Sequence, residues 1–144
     1  MISVYNPPNL TTVLNAGMVQ SNPSRSLNSQ FTPNASKWTF VLYSVRISGS
    51  ATITLLGTSN IAGRIELLVA SGTPVSPTDS LCQARSSTTL SGAVVIGINI
   101  TVSTPEEGIL CGWVPPNYNV LLNTVNESGT PTYTIVRSTE WTLG

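Results

Sequence analysis

From Trp38 onward, apolar and polar residues alternate with a period of two, the mark of strands that bury one face and wet the other. In TFVLYSVRIS, Val41, Tyr43, Val45 and Ile47 share one face, while Ser44, Arg46 and Ser48 share the opposite one. Gly49-Ser50 then fits a two-residue hairpin turn, leading to Ala51, Ile53 and Leu55 on one face of ATITLLG. RIELLVA sets Ile65, Leu67 and Val69 against Arg64 and Glu66. After the proline-bearing loop SGTPVSPTDS, a short strand passes through Leu81 to Ala84. The clearest alternation is VVIGINITVS, with Val94, Ile96, Ile98, Ile100 and Val102 on one side. GILCGWV, YNVLLNTV and TYTIVRSTEWTL complete the series. On this phase Trp113 joins Ile109 and Cys111 in the core, and Tyr133, Ile135, Trp141 and Leu143 fall on one face.

Eight such strands, punctuated by turn residues and with no helical period, predict an all-β fold over residues 37–144. The architecture expected is an antiparallel β-sandwich, jelly-roll-like, in which two sheets stack. Residues 1–36 differ. Asn, Pro and Ser crowd this stretch, and its apolar residues stand singly, so it predicts an extended N-terminal arm that cannot build its own core. Tyr5, Leu10, Leu14 and Phe31 are its candidate anchors on a partner. On that reading, deleting residues 1–30 leaves the body folded.

Composition narrows the function. Charged residues are 8% of the 144, against about 25% in ordinary soluble domains, and the net charge is zero. No basic patch is present to neutralise phosphates, so neither nucleic acid nor an anionic membrane is an expected partner. No apolar run is long enough to span a bilayer as a helix, and MISVYNPPNLTT lacks the basic start and apolar stretch of a secretion signal. The chain has no His, which removes the usual general base and the commonest zinc ligand. The six carboxylates (Glu66, Asp79, Glu106, Glu107, Glu127 and Glu140) form neither a glycosidase-like pair nor a calcium loop. Cys82 and Cys111 show no metal or redox spacing and are expected as free thiols in the core. The sequence therefore predicts no enzyme, no metal and no cofactor. Its aromatic residues remain. Trp38, Trp113, Tyr118, Tyr133 and Trp141 are candidates for subunit interfaces, or, with Tyr5 and Tyr43, for a sugar-stacking platform.

The C-terminal pattern Val114-Pro115-x-x-Tyr118, Ser128-Gly129, Tyr133 and Glu140-Trp141-x-Leu143 resembles that of small tailed-bacteriophage virion proteins. These are capsid decoration (cement) proteins and related head- or tail-fibre domains. Their turn commonly reads Val-Pro-Ala-Gly-Tyr; here Pro116 and Asn117 replace Ala and Gly, and Asn is the next-best residue for a left-handed position. SGSATITLLGTS (residues 48–59) is similar to the second strand region of such domains. The resemblance covers residues 38–143. It implies a jelly roll, homotrimeric, bound to the major capsid protein or another virion protein on the capsid surface. Synthesis would be in the host cytoplasm. The alternative it leaves is a fibre module that binds a receptor or glycan.

Overall fold

The computed structural model describes residues 17–53, 56–72, 77–93, 100–103 and 105–144. These form ten strands and, among the described residues, no helix. The strands are β1 (Met18–Ser21), β2 (Gln30–Phe31), β3 (Thr39–Ser48), β4 (Ser50–Ile53), β5 (Leu56–Ser71), β6 (Asp79–Ala93), β7 (Ile100–Ser103), β8 (Glu106–Val114), β9 (Tyr118–Ser128) and β10 (Thr132–Leu143). Their pairing follows one rule: β1 with β10, β2 with β9, β3 with β8, β4 with β7 and β5 with β6, all antiparallel. The chain is thus a single ribbon that runs out to β5 and returns from β6. Winding this ribbon adds two ladders, β10 with β3 and β9 with β5. The result is a β-sandwich of two four-stranded sheets, β1-β10-β3-β8 and β2-β9-β5-β6, with β4-β7 as a separate two-stranded ribbon. That is the jelly-roll winding.

The core lies between the sheets. Val41, Tyr43, Val45 and Ile47 of β3 meet Ile65, Leu67 and Val69 of β5, with Leu110 and Val114 of β8 and Val120 and Leu122 of β9. Burying each such aliphatic side chain is worth about 1.5–3 kcal/mol. The alternation in β3 and β5 is the one their sequences predict. Asn117, in the turn that ends with Tyr118 N–H donating to the Pro115 carbonyl at 3.3 Å, adopts the left-handed φ of 59° expected of it.

On one flank the edges of the two sheets come together. Gly108 and Gly112 occupy inward positions of β8 because β6 passes over them. A Cβ on Gly108 would lie 2.6 Å from the Ala84 Cβ, and one on Gly112 3.0 Å from Leu81 Cδ1. The Cys82 sulfur sits there too, accepting the Cys111 backbone N–H at 3.3 Å. Both cysteines are free, but only Cys82 is half-buried; Cys111 is exposed and not a core thiol.

On the other flank residues 22–29 cross between the sheets, a strap that builds residues 17–36 of the expected arm into the sandwich. Residues 17–36 supply β1 and β2, the outermost strands of the ribbon, and Leu27 and Phe31 pack on the core. Asn28 holds the crossing in place. It takes a φ of 58°, and its side chain accepts the Thr124 backbone N–H at 2.9 Å and donates to Thr124 Oγ1 at 2.9 Å. Residues 1–16, with Tyr5, Leu10 and Leu14, lie outside the described residues.

Three further expectations change. Gly49-Ser50 does not turn a hairpin: β3 pairs with β8, and β4 leaves to pair with β7. Gly49 is needed for room instead, since a Cβ there would stand 2.0 Å from Ile61 Cδ1. The strand at Leu81–Ala84 is the 15-residue β6, whose Ser- and Thr-rich second half forms an edge ladder along β5. Of VVIGINITVS, only Ile100–Ser103 falls among the described residues, as β7.

Candidate functional site

The outer face of the β1-β10-β3-β8 sheet carries the most distinctive cluster. Trp141, Phe40 and Trp113 stand directly opposite one another on three neighbouring strands. The ring centroids of Phe40 lie 5.3 Å from those of Trp113 and 5.9 Å from those of Trp141, with interplanar angles of 59° and 38°. Met18 of β1 completes an apolar recess of about 320 Å³. Ile109, 64% exposed, and Met18, 41% exposed, extend the apolar surface.

Two local features bring these residues outward against expectation. In β8 the inward positions belong to Gly108, Leu110, Gly112 and Val114, so the large residues Ile109, Cys111 and Trp113 face out. The alternation was right and its sense inverted, because the close approach of β6 demands glycines where a core normally puts bulk. In β10 a bulge between Ile135 and Arg137 inserts Val136 and shifts the register. A bulge adds one residue to one strand and so reverses its faces beyond that point. Tyr133 and Ile135 therefore point inward while Trp141 points out, and these residues do not share a face.

The same reversal drives Glu140 into the interior, where it is 2% exposed. Arg25 binds it with two bonds of 2.8 Å, and the Tyr43 hydroxyl donates to it at 2.7 Å. The Arg25 guanidinium also lies 4.1 Å over the Phe31 ring. Burial, with the Glu140 charge, raises the Tyr43 pKa far above its ordinary value. Burial works to lower the pKa of Arg25, but hydrogen bonding and the charge of Glu140 leave it raised. The set bridges the strap, β3 and β10; it is structural, since it is sealed by its own bonds. Sequence reasoning missed it because nothing in a polar stretch such as NPSRSL marks an arginine that reaches a carboxylate 115 residues away.

The remaining interface candidates are engaged within this molecule. Tyr118 and Tyr133 pack on the core, with the Tyr133 hydroxyl donating to the Val125 carbonyl at 2.8 Å. Trp38 is half-buried at the start of β3, its carbonyl accepting Leu143 N–H at 3.0 Å. Phe31, expected to anchor an arm on a partner, meets Tyr43 edge-on at 6.1 Å in this chain's own core. Of the five aromatic candidates, Trp113 and Trp141 are the ones brought together at the surface. Phe40 and Met18 join them unforeseen; the available signal was Phe40 on the polar side of β3, opposite Val41 and Tyr43.

The opposite sheet presents a different surface. Arg64 bonds Glu66 at 2.8 Å and Glu127 at 2.7 Å, Arg85 bonds Glu127 at 2.7 Å, and Asn123 donates to Glu66 at 3.1 Å. Hydrogen bonds from Arg64 lead in holding both carboxyls below their ordinary range. Among the described residues no three Cys, Asp or Glu side chains gather as metal ligands would. No family model, known protein or solved structure matches the chain.

Proposed function

We propose that this chain is a non-enzymatic structural protein of a phage virion, a decoration protein that binds the outside of a capsid and stabilises it. The observation that carries the reading is the aromatic face of Phe40, Trp113, Trp141 and Met18. Isolated exposed apolar residues need no explanation, but a contiguous aromatic recess on a sheet face marks a contact surface. Its counterpart, the ion-paired lattice around Arg64 and Glu127, gives the sandwich one face fit for water and one fit for a protein. Tryptophans in a packed cluster are the residues that dominate such contacts. The jelly-roll winding agrees with the resemblance to decoration proteins, and on that resemblance the assembly is a homotrimer.

The tilt of the rings supports this reading over a glycan-binding fibre module. A platform for a flat polysaccharide needs near-coplanar rings, whereas angles of 59° and 38° make a pocketed surface suited to protein side chains. Cryo-electron microscopy of the virions whose genome encodes the chain is the direct test. Density for a jelly roll on the capsid, lost in a Trp113→Ala, Trp141→Ala double variant that remains folded, is the expected result. Undecorated capsids, or full occupancy by the double variant, would overturn the proposal.

A further inference from the structure

The flank where β6 passes over β8 sets the chain's two cysteines against each other. These strands belong to different sheets, and no ladder joins them among the described residues. Ala84 lies against Gly108 and Leu81 against Gly112, so the strands pass antiparallel and Cys82 falls opposite Cys111. The Cys82 sulfur accepts the Cys111 N–H at 3.3 Å, and its S–H donates to the Cys111 carbonyl at 3.4 Å. With an N–Cα bond of about 1.46 Å, that sulfur is within about 5 Å of the Cys111 Cα.

A half-buried cysteine is ordinarily a small apolar filler. This one points at the only other cysteine in 144 residues, 29 positions away. A disulfide asks for Cα atoms about 4.4–6.8 Å apart, and fails where the backbones must move to meet. Here the backbones already touch, so the bond asks only that the exposed Cys111 side chain turn toward the edge of β8. The two thiols also divide the chemistry between them. Cys111 is open to a reagent, while Cys82 is half-buried, and burial leads in raising its pKa, which makes it the weaker first nucleophile.

We propose that Cys82 and Cys111 are a redox pair, which a small-molecule disulfide oxidises to a bond that staples β6 to β8. The Cys111 thiolate attacks one sulfur of the oxidant, whose other sulfur leaves as a thiolate. The Cys82 thiolate then attacks the Cys111 sulfur of the mixed disulfide and expels the second. Two protein thiols are oxidised, the oxidant's disulfide is reduced to two thiols, and the protein's two protons end on them. The bond links the two sheets on a flank that no backbone ladder closes. It also closes the loop from 82 to 111, which removes conformations from the unfolded chain. Nothing in this depends on the capsid reading.

The test starts from the full chain, reduced with dithiothreitol and then freed of it. The protein is incubated with oxidised glutathione, alkylated, and weighed and mapped by mass spectrometry. The parent is expected to lose both free thiols, keep no glutathione, and yield a cross-linked peptide pair containing Cys82 and Cys111. Cys82→Ser should stop with one glutathione on Cys111, and Cys111→Ser should react about tenfold more slowly or less. The oxidised parent should melt about 5–15 °C above the reduced parent, a difference that dithiothreitol abolishes. The proposal is overturned if the parent keeps both thiols free or holds glutathione on Cys111. It is equally overturned if Cys111 links two copies instead, or if the oxidised protein melts no higher than the reduced one.

Discussion

Glu140 shows how much one carboxyl can carry in a chain so poor in charge. It is buried, and it accepts every strong donor near it, two from Arg25 and one from Tyr43. Removing one partner of a buried ion pair leaves the other uncompensated and costs about 3–5 kcal/mol, whereas losing a single neutral donor to it costs about 1–3 kcal/mol. Glu140→Ala should therefore destabilise the protein by about 3 kcal/mol or more in denaturant titrations, and Tyr43→Phe by clearly less. Equal effects would show that Arg25 contributes little. The exposed lattice on the other sheet makes its mark through pH instead. Glu66 and Glu127 are held below their ordinary value of 4.5 by Arg64, with help from Asn123 and Arg85 respectively. A carboxyl whose folded pKa is depressed stabilises above its unfolded value and loses that contribution as pH falls through the lower, folded one. Tm should thus decline below pH 4.5. In Arg64→Gln the decline should be shallower, because the neutral-pH advantage is already gone; thermal melts across the acid range would decide it.

Among the elements, what the sequence revealed depended on how each strand buries its faces. β3 and β5 bury one face with ordinary bulk, so their alternation was readable directly. β8 was readable as a strand but not in its sense, because Gly108 and Gly112 hide an inward face behind absent side chains. β10 carried a bulge, and no periodicity announces an inserted Val136. β6 is an edge strand whose Ser and Thr residues give no apolar contrast, so its length stayed hidden. β1 and β2 are MVQS and QF, too short for any period, and their places are fixed by partners more than 85 residues away in the chain. The aromatic face followed from these misread elements: it was visible as residue types and invisible as a surface. The glycines of β8 lend themselves to measurement. Gly108→Val must push β6 away from β8, and overpacking of this kind costs about 1–3 kcal/mol. Thiol labelling of the native protein should report it. The parent is expected to react quickly at Cys111 and slowly at Cys82, and the variant quickly at both. A slow Cys82 in the variant would mean that β6 adapts without opening.

For the whole molecule, the pairing rule makes nearly every contact non-local, because each strand waits for a partner from the other end of the ribbon. Topologies of this kind fold slowly, since loop closure must precede the contacts that reward it. The strap over residues 22–29 is part of that closure. Deleting residues 1–30 removes β1, Arg25 and Leu27 together, and strands Glu140 inside without its cation. The truncated chain is expected to melt well below one lacking only residues 1–16, which keeps all of these contacts; calorimetry on the two would show it. Equal melting temperatures would return residues 17–30 to the status of a dispensable arm.

The outermost rung of the ribbon has a geometric consequence of its own. Gly144 N–H donates to the Gly17 carbonyl at 3.1 Å, so Gly144 lies within a peptide's reach of the point where β1 begins. The body from 17 to 144 is close to a covalent ring with one bond left open. A ring can be cut elsewhere: a chain that starts at Thr130, in the connection by which β9 of one sheet leads to β10 of the other, and runs through a 144-to-17 junction would keep every ladder described. The order in which these strands follow one another along the chain is then one of several that the same set of ladders would accept.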